Sequence, residues 1–274
     1  MKSDKSVIEV YSPIAKAWAH YPSPARPSKE EIDFYEKSIL KVSQNKDIKV
    51  LILGVTPELR DICTKYKLDV TLVDISKDMA EAMENLVKNK NPKEKIVIAN
   101  WLDMKFDTKF DLVMGDIVIN LFGLEDWDLF LKKIKNTLVE NGHFLTRLML
   151  DSPLRKNVTL AEMITQFKQG KEIGNLDRTA VLFSDKDICS PKTHKIDMRV
   201  FDEKLKKFLD KGIISLEEYT TLKLPVSTIP VIAPAQDYFK KSLNGKFEVI
   251  SSSTGKEFVF LKYFPIYLLR SLSS

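Results

Sequence analysis

Short apolar runs alternate with helically spaced apolar residues through the first half of the chain. Residues 50–53 are the unbroken run Val-Leu-Ile-Leu, which is typical of a strand covered on both faces in a parallel sheet. Ser28-Lys-Glu-Glu31 has the pattern of a capping box and begins a predicted helix. The alternation predicts an α/β fold. Four further strands are predicted in this half, at residues 70–73, 96–99, 110–114 and 143–150.

The segment of residues 49–76 has the pattern of a nucleotide-binding βαβ unit. Gly54 ends the first strand, and Thr56 and Pro57 suit the cap and first position of a helix. The second strand ends in Asp74, twenty positions after Gly54. We therefore expect Gly54 to let a ligand approach the backbone closely and Asp74 to accept hydrogen bonds from a ribose diol.

Residues 73–76, followed by Met79, resemble the second motif of the class I S-adenosylmethionine-dependent methyltransferases, in which an acid closes the second strand. The resemblance implies that Asp74 and Ile75 belong to a site for S-adenosylmethionine. It also implies a Rossmann-like sheet that is closed by a C-terminal antiparallel hairpin.

The glycine motif of this family, acid-x-Gly-x-Gly-x-Gly, is degenerate in this sequence. Gly54 occupies the first glycine position, whereas Ile52 stands at the position of the acid. Thr56 and Glu58 stand at the second and third glycine positions. The resemblance therefore depends on the segments that follow.

The loops after the third and fourth strands supply further site residues by the same resemblance. In the loop after the third strand, family members carry an acid that accepts a hydrogen bond from the adenine amino group, and Asp103 matches this acid. Trp101 or Leu102 fits the apolar residue that covers the ring. Asp116 and Asn120 follow the fourth strand, and ligands of open α/β sheets bind beyond the carboxyl ends of the strands. We therefore expect both at the site mouth.

Residues 1–44 are interpreted as an N-terminal helical lid. A short helix is predicted near residues 7–18, and a proline-rich strap follows at residues 22–27. A leading helical segment commonly lies over the cofactor site in this family, so Arg26 is expected to bind the methionine carboxylate of the cofactor. Three aromatic residues are expected to pack rather than to contact substrate: Tyr11, Trp18 and Tyr21.

The C-terminal part of the chain returns to strands. A long amphipathic helix that runs to Asn141-Gly142, followed by a strand, is similar to a segment of the family. Residues 247–251 and 258–264 are predicted to form the closing antiparallel pair. This pair distinguishes the fold from a plain dehydrogenase Rossmann domain. The cofactor-binding domain is accordingly predicted to comprise residues 45–150 and 225–274.

Residues 151–224 do not fit the minimal fold and are interpreted as a helical cap insertion. Two further capping boxes head amphipathic runs there, at Thr159–Glu162 and Ser215–Glu218. A solvated loop or a catalytic role are both open for the polar residues between them, among which His194 is the candidate base. Other catalytic residues are not assigned, because methyl transfer from a sulfonium requires mainly binding and alignment.

Composition narrows the class further. The 274 residues are 44% hydrophobic and 30% charged, which is typical of a globular protein. The net charge of +5 is mild, and the scattered lysines favour a solvated surface over a nucleic-acid interface. The two cysteines and three histidines show no metal-ligand spacing, so we expect no metal. The few cysteines favour a reducing cytoplasm as the compartment. We expect no membrane-spanning segment, since the most apolar tail, residues 258–269, is too short to cross a bilayer.

The leading interpretation is an S-adenosylmethionine-dependent methyltransferase that acts on a small molecule held under the helical cap. A non-catalytic binding or scaffold protein with the same fold is an alternative, and the degenerate glycine motif favours it. An RNA methyltransferase is a second alternative, favoured only by the basic isoelectric point. A nicotinamide dehydrogenase is a third, against which the terminal hairpin and the poor glycine motif argue.

Overall fold

The predicted strands lie side by side in one seven-stranded sheet, with the order β3-β2-β1-β4-β5-β9-β8. The first five strands are parallel, and β9 runs antiparallel to both of its neighbours, β5 and β8. The predicted α/β class, with a Rossmann-like methyltransferase sheet, is therefore confirmed. The strands are β1 (Lys49–Leu53), β2 (Asp69–Asp74), β3 (Glu94–Ile98), β4 (Phe110–Asp116), β5 (Leu138–Arg147), β8 (Phe247–Ser253) and β9 (Ile266–Ser271).

This computed structural model describes Trp18 and residues 23–44, 46–151, 158–224, 231–256 and 259–273. The helix predicted near residues 7–18, apart from Trp18, and the aromatic residues Tyr11 and Tyr21 lie outside the described residues. The chain divides into two compact units, Met1–Met149 with Gln236–Ser274, and Leu150–Ala235. The division of the sequence into lid, cofactor domain and cap remains a prediction about function.

Residues 50–53 of β1 are fully buried, as their apolar run predicts. Helices of the larger unit are α1 (Lys29–Ser43), α2 (Pro57–Lys65), α3 (Lys77–Glu84), α4 (Trp127–Thr137) and α9 (Gln236–Ser242). The capping box at Ser28 and Glu31 is present. Thr56 does precede α2, and Pro57 is at its first turn, but the Thr56 side chain makes no cap hydrogen bond.

Both ends of β5 differ from the prediction, because the strand spans Leu138–Arg147 and not residues 143–150. Helix α4 ends at Thr137 rather than at Asn141, because Leu138 already pairs with Phe110 of β4. Asn141 has a left-handed φ of 56°, which is the conformation that an Asn-Gly stop favours. Asn141 therefore lies within β5, near the point where the pairing with β4 shifts register, and not at the end of a helix.

The second strand of the predicted C-terminal pair is wrong in position. Val259–Tyr263 forms a 3-10 helix, and the strand begins after Pro265, at Ile266. Residues 266–269 are all buried because β9 lies between β5 and β8. Both apolar runs fit a buried strand, and periodicity cannot choose between two neighbouring short runs.

The smaller unit is mostly helical among its described residues. Its helices are α5 (Leu160–Lys168), α6 (Asn175–Ser184), α7 (Met198–Asp210) and α8 (Leu216–Leu222). Both predicted capping boxes are present, at Thr159 and Ser215. A short antiparallel pair, β6 (Lys195–Ile196) and β7 (Val231–Ile232), was not predicted, because two-residue strands carry no periodicity. No helix within the described ranges is long and apolar enough to cross a membrane.

Candidate cofactor site

Gly54, Asp74 and Trp101 converge where the first three strands end. Gly54 has a φ of +84°, which favours glycine. Its N–H donates to the Val73 carbonyl at 2.8 Å, which holds the turn against β2. A Cβ atom on Gly54 would lie 3.8 Å from both Asp74 Oδ2 and Trp101 Cζ2. Three of the residues predicted to bind the cofactor therefore share one corner of the sheet.

The Asp74 carboxyl group is buried, with 7% of the residue exposed. Its Oδ1 accepts a hydrogen bond from the Ser76 N–H at 2.8 Å, and its Oδ2 faces Gly54. Burial raises the pKa of Asp74 to about 6, and hydrogen bonds from the backbone of Ser76 and Ile75 oppose this rise. Ile75 itself is half-buried, next to the carboxylate.

Trp101 is fixed by a hydrogen bond from its indole Nε1 to the Val73 carbonyl oxygen at 2.7 Å. The edge of its ring meets Phe122, with the two centroids 6.1 Å apart. Leu102 is half-buried, and its N–H donates to the side chain of Asn100 at 3.0 Å. Asp103 is exposed in the same turn. The structure therefore brings Trp101, and not Asp103, against Gly54 and Asp74.

Arg26 lies next to Glu58, the residue at the third glycine position. Arg26 Nε donates to Glu58 Oε1 at 2.8 Å, and Nη2 donates to the same oxygen at 2.5 Å. The Arg26 and Glu58 side chains are 26% and 12% exposed. The contact of Arg26 with the cofactor carboxylate remains a prediction, and Glu58 is one of the groups that Arg26 contacts in this structure.

Asp116 is held by Arg147, a residue that the sequence interpretation missed. Arg147 is fully buried and binds both carboxylate oxygens of Asp116, at 2.6 Å and 2.9 Å. Its Nη1 also donates to Glu31 at 2.8 Å. Burial raises the pKa of Asp116, although Arg147 opposes the rise. The signal for this network was a lone arginine in the apolar strand of residues 143–150, because a buried charge needs a partner.

Tyr35 and Asn120 complete the polar contacts at the ends of β4 and β5. The Tyr35 hydroxyl donates to the Gly115 carbonyl at 2.9 Å and accepts from the Arg147 N–H at 3.0 Å. Asn120 is fully buried, and its amide bonds the Met149 carbonyl at 2.6 Å and the Met149 N–H at 2.9 Å. Asn120 thus fixes the chain that leaves β5. Roles for Asp116 and Asn120 in binding the cofactor stay predictions.

His194 belongs to the smaller unit. Its φ is +55°, and its Nδ1 lies 3.6 Å from Asp151 Oδ2. The two side chains are 26% and 21% exposed. His194 therefore has an acidic neighbour within its own unit, and its assignment as a base remains a prediction. No group of three or more His, Cys, Asp or Glu within the described part of the chain could hold a metal ion.

Comparison with known proteins finds a family match for part of the chain. Residues 54–142, about a third of the chain, match the sequence model of a family described as a methyltransferase domain. None of the curated proteins matches the sequence. The matched residues contain Gly54, Asp74 and Trp101.

Solved structures are similar over nearly the whole chain. The CcbJ methyltransferase from Streptomyces caelestis has a TM-score of 0.58 at 14% identity, over 96% of this chain and 98% of that one. The magnesium protoporphyrin IX methyltransferase from Synechocystis PCC 6803, with bound S-adenosylhomocysteine, has a TM-score of 0.52 at 11% identity, over 98% and 99%.

A Rhodobacter sphaeroides protein, named provisionally after the zinc-dependent alcohol dehydrogenases, has a TM-score of 0.61 at 14% identity, over 99% and 100%. At this identity the similarity shows the fold alone, so its name carries no information about chemistry. The family match and the fold together confirm the resemblance found in the sequence. Residues 54–142 match a methyltransferase domain, and the chain has the fold of solved methyltransferases, one of which holds S-adenosylhomocysteine.

Proposed function

We propose that the protein transfers a methyl group from S-adenosylmethionine to a small molecule, and that the cofactor binds at the corner formed by Gly54, Asp74 and Trp101. The single observation that supports this most is the approach of these three residues to one another, at 3.8 Å from a Cβ built on Gly54. They come from the ends of three parallel strands, where ligands of open α/β sheets bind.

Each residue of this corner has a separate task in the proposal. Asp74 accepts hydrogen bonds from the two ribose hydroxyls, for which its Oδ2 is the oxygen that faces the turn. Gly54 lets the ligand lie against the backbone. Trp101 packs on the adenine, with Leu102 beside it, and Asp103 accepts from the adenine amino group. Arg26 is proposed to lie at the methionine part of the cofactor and to bind its carboxylate.

The reaction needs little covalent help from the protein. S-adenosylmethionine supplies an activated methyl group when it is bound. The residues of the chain then bind, orient and exclude water, and such alignment lowers the barrier to attack on the methyl carbon. The scarcity of nucleophiles at the corner therefore agrees with an enzyme of this type.

The small-molecule acceptor is proposed from three considerations. The helical unit of residues 150–235 is an addition to the sheet, and we propose that it selects the acceptor. One structural neighbour methylates magnesium protoporphyrin IX, according to its name. Within the helical unit, His194 with Asp151 beside it is the pair proposed to take a proton from the acceptor.

Calorimetric titration tests the proposal directly. S-adenosylmethionine and S-adenosylhomocysteine should both bind with affinities of roughly micromolar order. Absence of both heat and thermal stabilisation at millimolar ligand would refute the cofactor assignment. Binding of both ligands without methyl transfer to any acceptor in a small-molecule panel would instead favour the non-catalytic binding protein.

A further inference from the structure

Five charged side chains form a mostly buried cluster, which includes Glu58, four residues after Gly54 in the chain. Arg26 contacts Glu58, and Arg147 contacts both Asp116 and Glu31. The two halves are linked, because Arg147 Nη1 also reaches the Arg26 carbonyl oxygen at 3.4 Å. Among the described residues, the cluster therefore holds three carboxylates against two guanidinium groups, an excess of one negative charge.

Two carboxylate oxygens of this cluster have no hydrogen-bond partner within the described ranges. They are Glu31 Oε1 and Glu58 Oε2, and both atoms are buried. Burial is the main cause of the raised pKa of Asp116, and the charges of Glu31 and Glu58 add to it. A buried anionic oxygen without a partner is costly. The cluster is therefore suited to receive one more positively charged hydrogen-bond donor.

Glu58 is the better placed of the two glutamates for a ligand. It lies in the first turn of α2, four residues after Gly54, whereas Glu31 already accepts from Ser28 N–H and Arg147. Arg26 binds only the Oε1 atom of Glu58 through its Nε and Nη2 atoms. This contact fixes the carboxylate and leaves Oε2 for another donor.

The position of the Glu58 carboxylate differs from that of the acid in the glycine motif of the family. The acid that begins the glycine motif in the family is replaced here by Ile52, which is fully buried in β1. A carboxylate instead stands at the third glycine position, as Glu58. The acidic residue of this turn therefore lies at the start of helix α2 in this chain, whereas in the family it lies at the end of the first strand.

We propose that Glu58 is the counter-charge for the α-ammonium group of S-adenosylmethionine, and that Arg26 positions the Glu58 carboxylate for this contact. The inference rests on the proposed function. An ammonium group at Glu58 Oε2 would give this buried carboxylate oxygen a positively charged donor. No such partner is required for the adenosine part of the cofactor, which the proposed function assigns to Gly54, Asp74 and Trp101.

Three ligands separate the ammonium contact from the rest of the site. S-adenosylhomocysteine carries the ammonium but no sulfonium charge. Its desamino analogue keeps the carboxylate and lacks the ammonium. 5′-Methylthioadenosine lacks the whole amino-acid part. Calorimetric titration of all three into the full chain and into Glu58→Gln forms a cycle between one protein charge and one ligand charge.

The wild-type chain should bind S-adenosylhomocysteine roughly 10- to 100-fold more tightly than the desamino analogue, as expected for one charge-assisted hydrogen bond. In Glu58→Gln this ratio should shrink to within about twofold, and affinity for 5′-methylthioadenosine should stay within about twofold of the wild type. Glu84→Gln is the matched control. Glu84 forms an ion pair with Arg60, which lies in α2 as Glu58 does, but Glu84 is not part of the cluster. This variant should change none of the three affinities.

Several results would overturn the inference. Equal wild-type affinity for S-adenosylhomocysteine and its desamino analogue would show that the ammonium gains nothing, and this measurement needs no variant to fold. If Glu58→Gln lost affinity for S-adenosylhomocysteine and for 5′-methylthioadenosine by the same factor, Glu58 would maintain the conformation of the turn and would not bind the ammonium group. If the wild type bound none of the three ligands, the proposed function would fail together with the inference.

Discussion

Replacing Asp74 by asparagine is expected to stabilise the protein and to weaken its binding of the cofactor. Burial raises the pKa of this carboxyl group from 3.8 to about 6. A difference of this size corresponds to roughly 3 kcal/mol at pH 7, by which the folded state disfavours the charged form. The asparagine side chain would keep an oxygen for the Ser76 N–H and remove the charge, so the free energy of unfolding at pH 7 should rise by up to this amount.

The pH dependence gives the sign of this effect. Between pH 4 and pH 6 the folded wild type holds a proton on Asp74 that the unfolded chain has already lost. Wild-type stability from this group therefore falls as pH rises through this window. The advantage of Asp74→Asn should be near zero at pH 4 and largest at pH 7. Urea denaturation of both proteins at four pH values measures it.

Binding of S-adenosylhomocysteine should show the opposite trend. The carboxylate has to be ionised to accept both ribose hydroxyls, and with a pKa of about 6 only about a tenth is ionised at pH 5. Wild-type affinity should fall about tenfold from pH 7 to pH 5. Asp74→Asn should bind roughly 10- to 100-fold more weakly at pH 7, the cost of hydrogen bonds to a charged acceptor, and should lose this dependence.

Asp116 also has a raised pKa, but Asp116 is present in both the wild type and Asp74→Asn. Its effect therefore cancels when the variant is compared with the wild type at each pH. A variant less stable than the wild type at pH 7, or an unchanged pH dependence of binding, would refute this account of Asp74. The ribose would then have to bind elsewhere.

Two further predictions concern Arg147 and His194. Arg147→Met should destabilise the larger unit by roughly 3–5 kcal/mol, because Asp116 and Glu31 would lose their buried partner, and a midpoint of urea denaturation equal to the wild type would contradict this. His194→Ala should lower the methyl-transfer rate with any acceptor found and leave the affinity for S-adenosylhomocysteine unchanged. An unchanged rate would remove His194 from the catalytic step.

Much of the larger unit could be predicted from sequence, because its signals are local. The buried run of β1, the capping box at Ser28 and the acid that ends β2 each follow from residues close together in the chain. The interactions that decide the electrostatics of the site are not local. Arg147 meets Glu31 across 116 positions of sequence, and no periodicity reports such a pair.

The second strand of the C-terminal pair shows a different limit. Residues 259–263 and 266–271 are adjacent and similarly apolar, and either could form the strand. The choice depends on pairing with β5, where Ile266 lies opposite Arg147. Only the assembled sheet contains this information. Sequence analysis thus identified the hairpin and misplaced one of its strands.

The degenerate glycine motif no longer argues against a cofactor site once the backbone angles are considered. Gly54 has a φ of +84°, which few other residues adopt. Thr56 has a φ of −53°, which any residue adopts without strain, and Glu58 lies in helix α2. The turn therefore needs glycine at the one position where the sequence retains it. The other two substitutions leave the path of the backbone unstrained and add polar side chains, of which Glu58 carries the charge that the inference assigns to the cofactor.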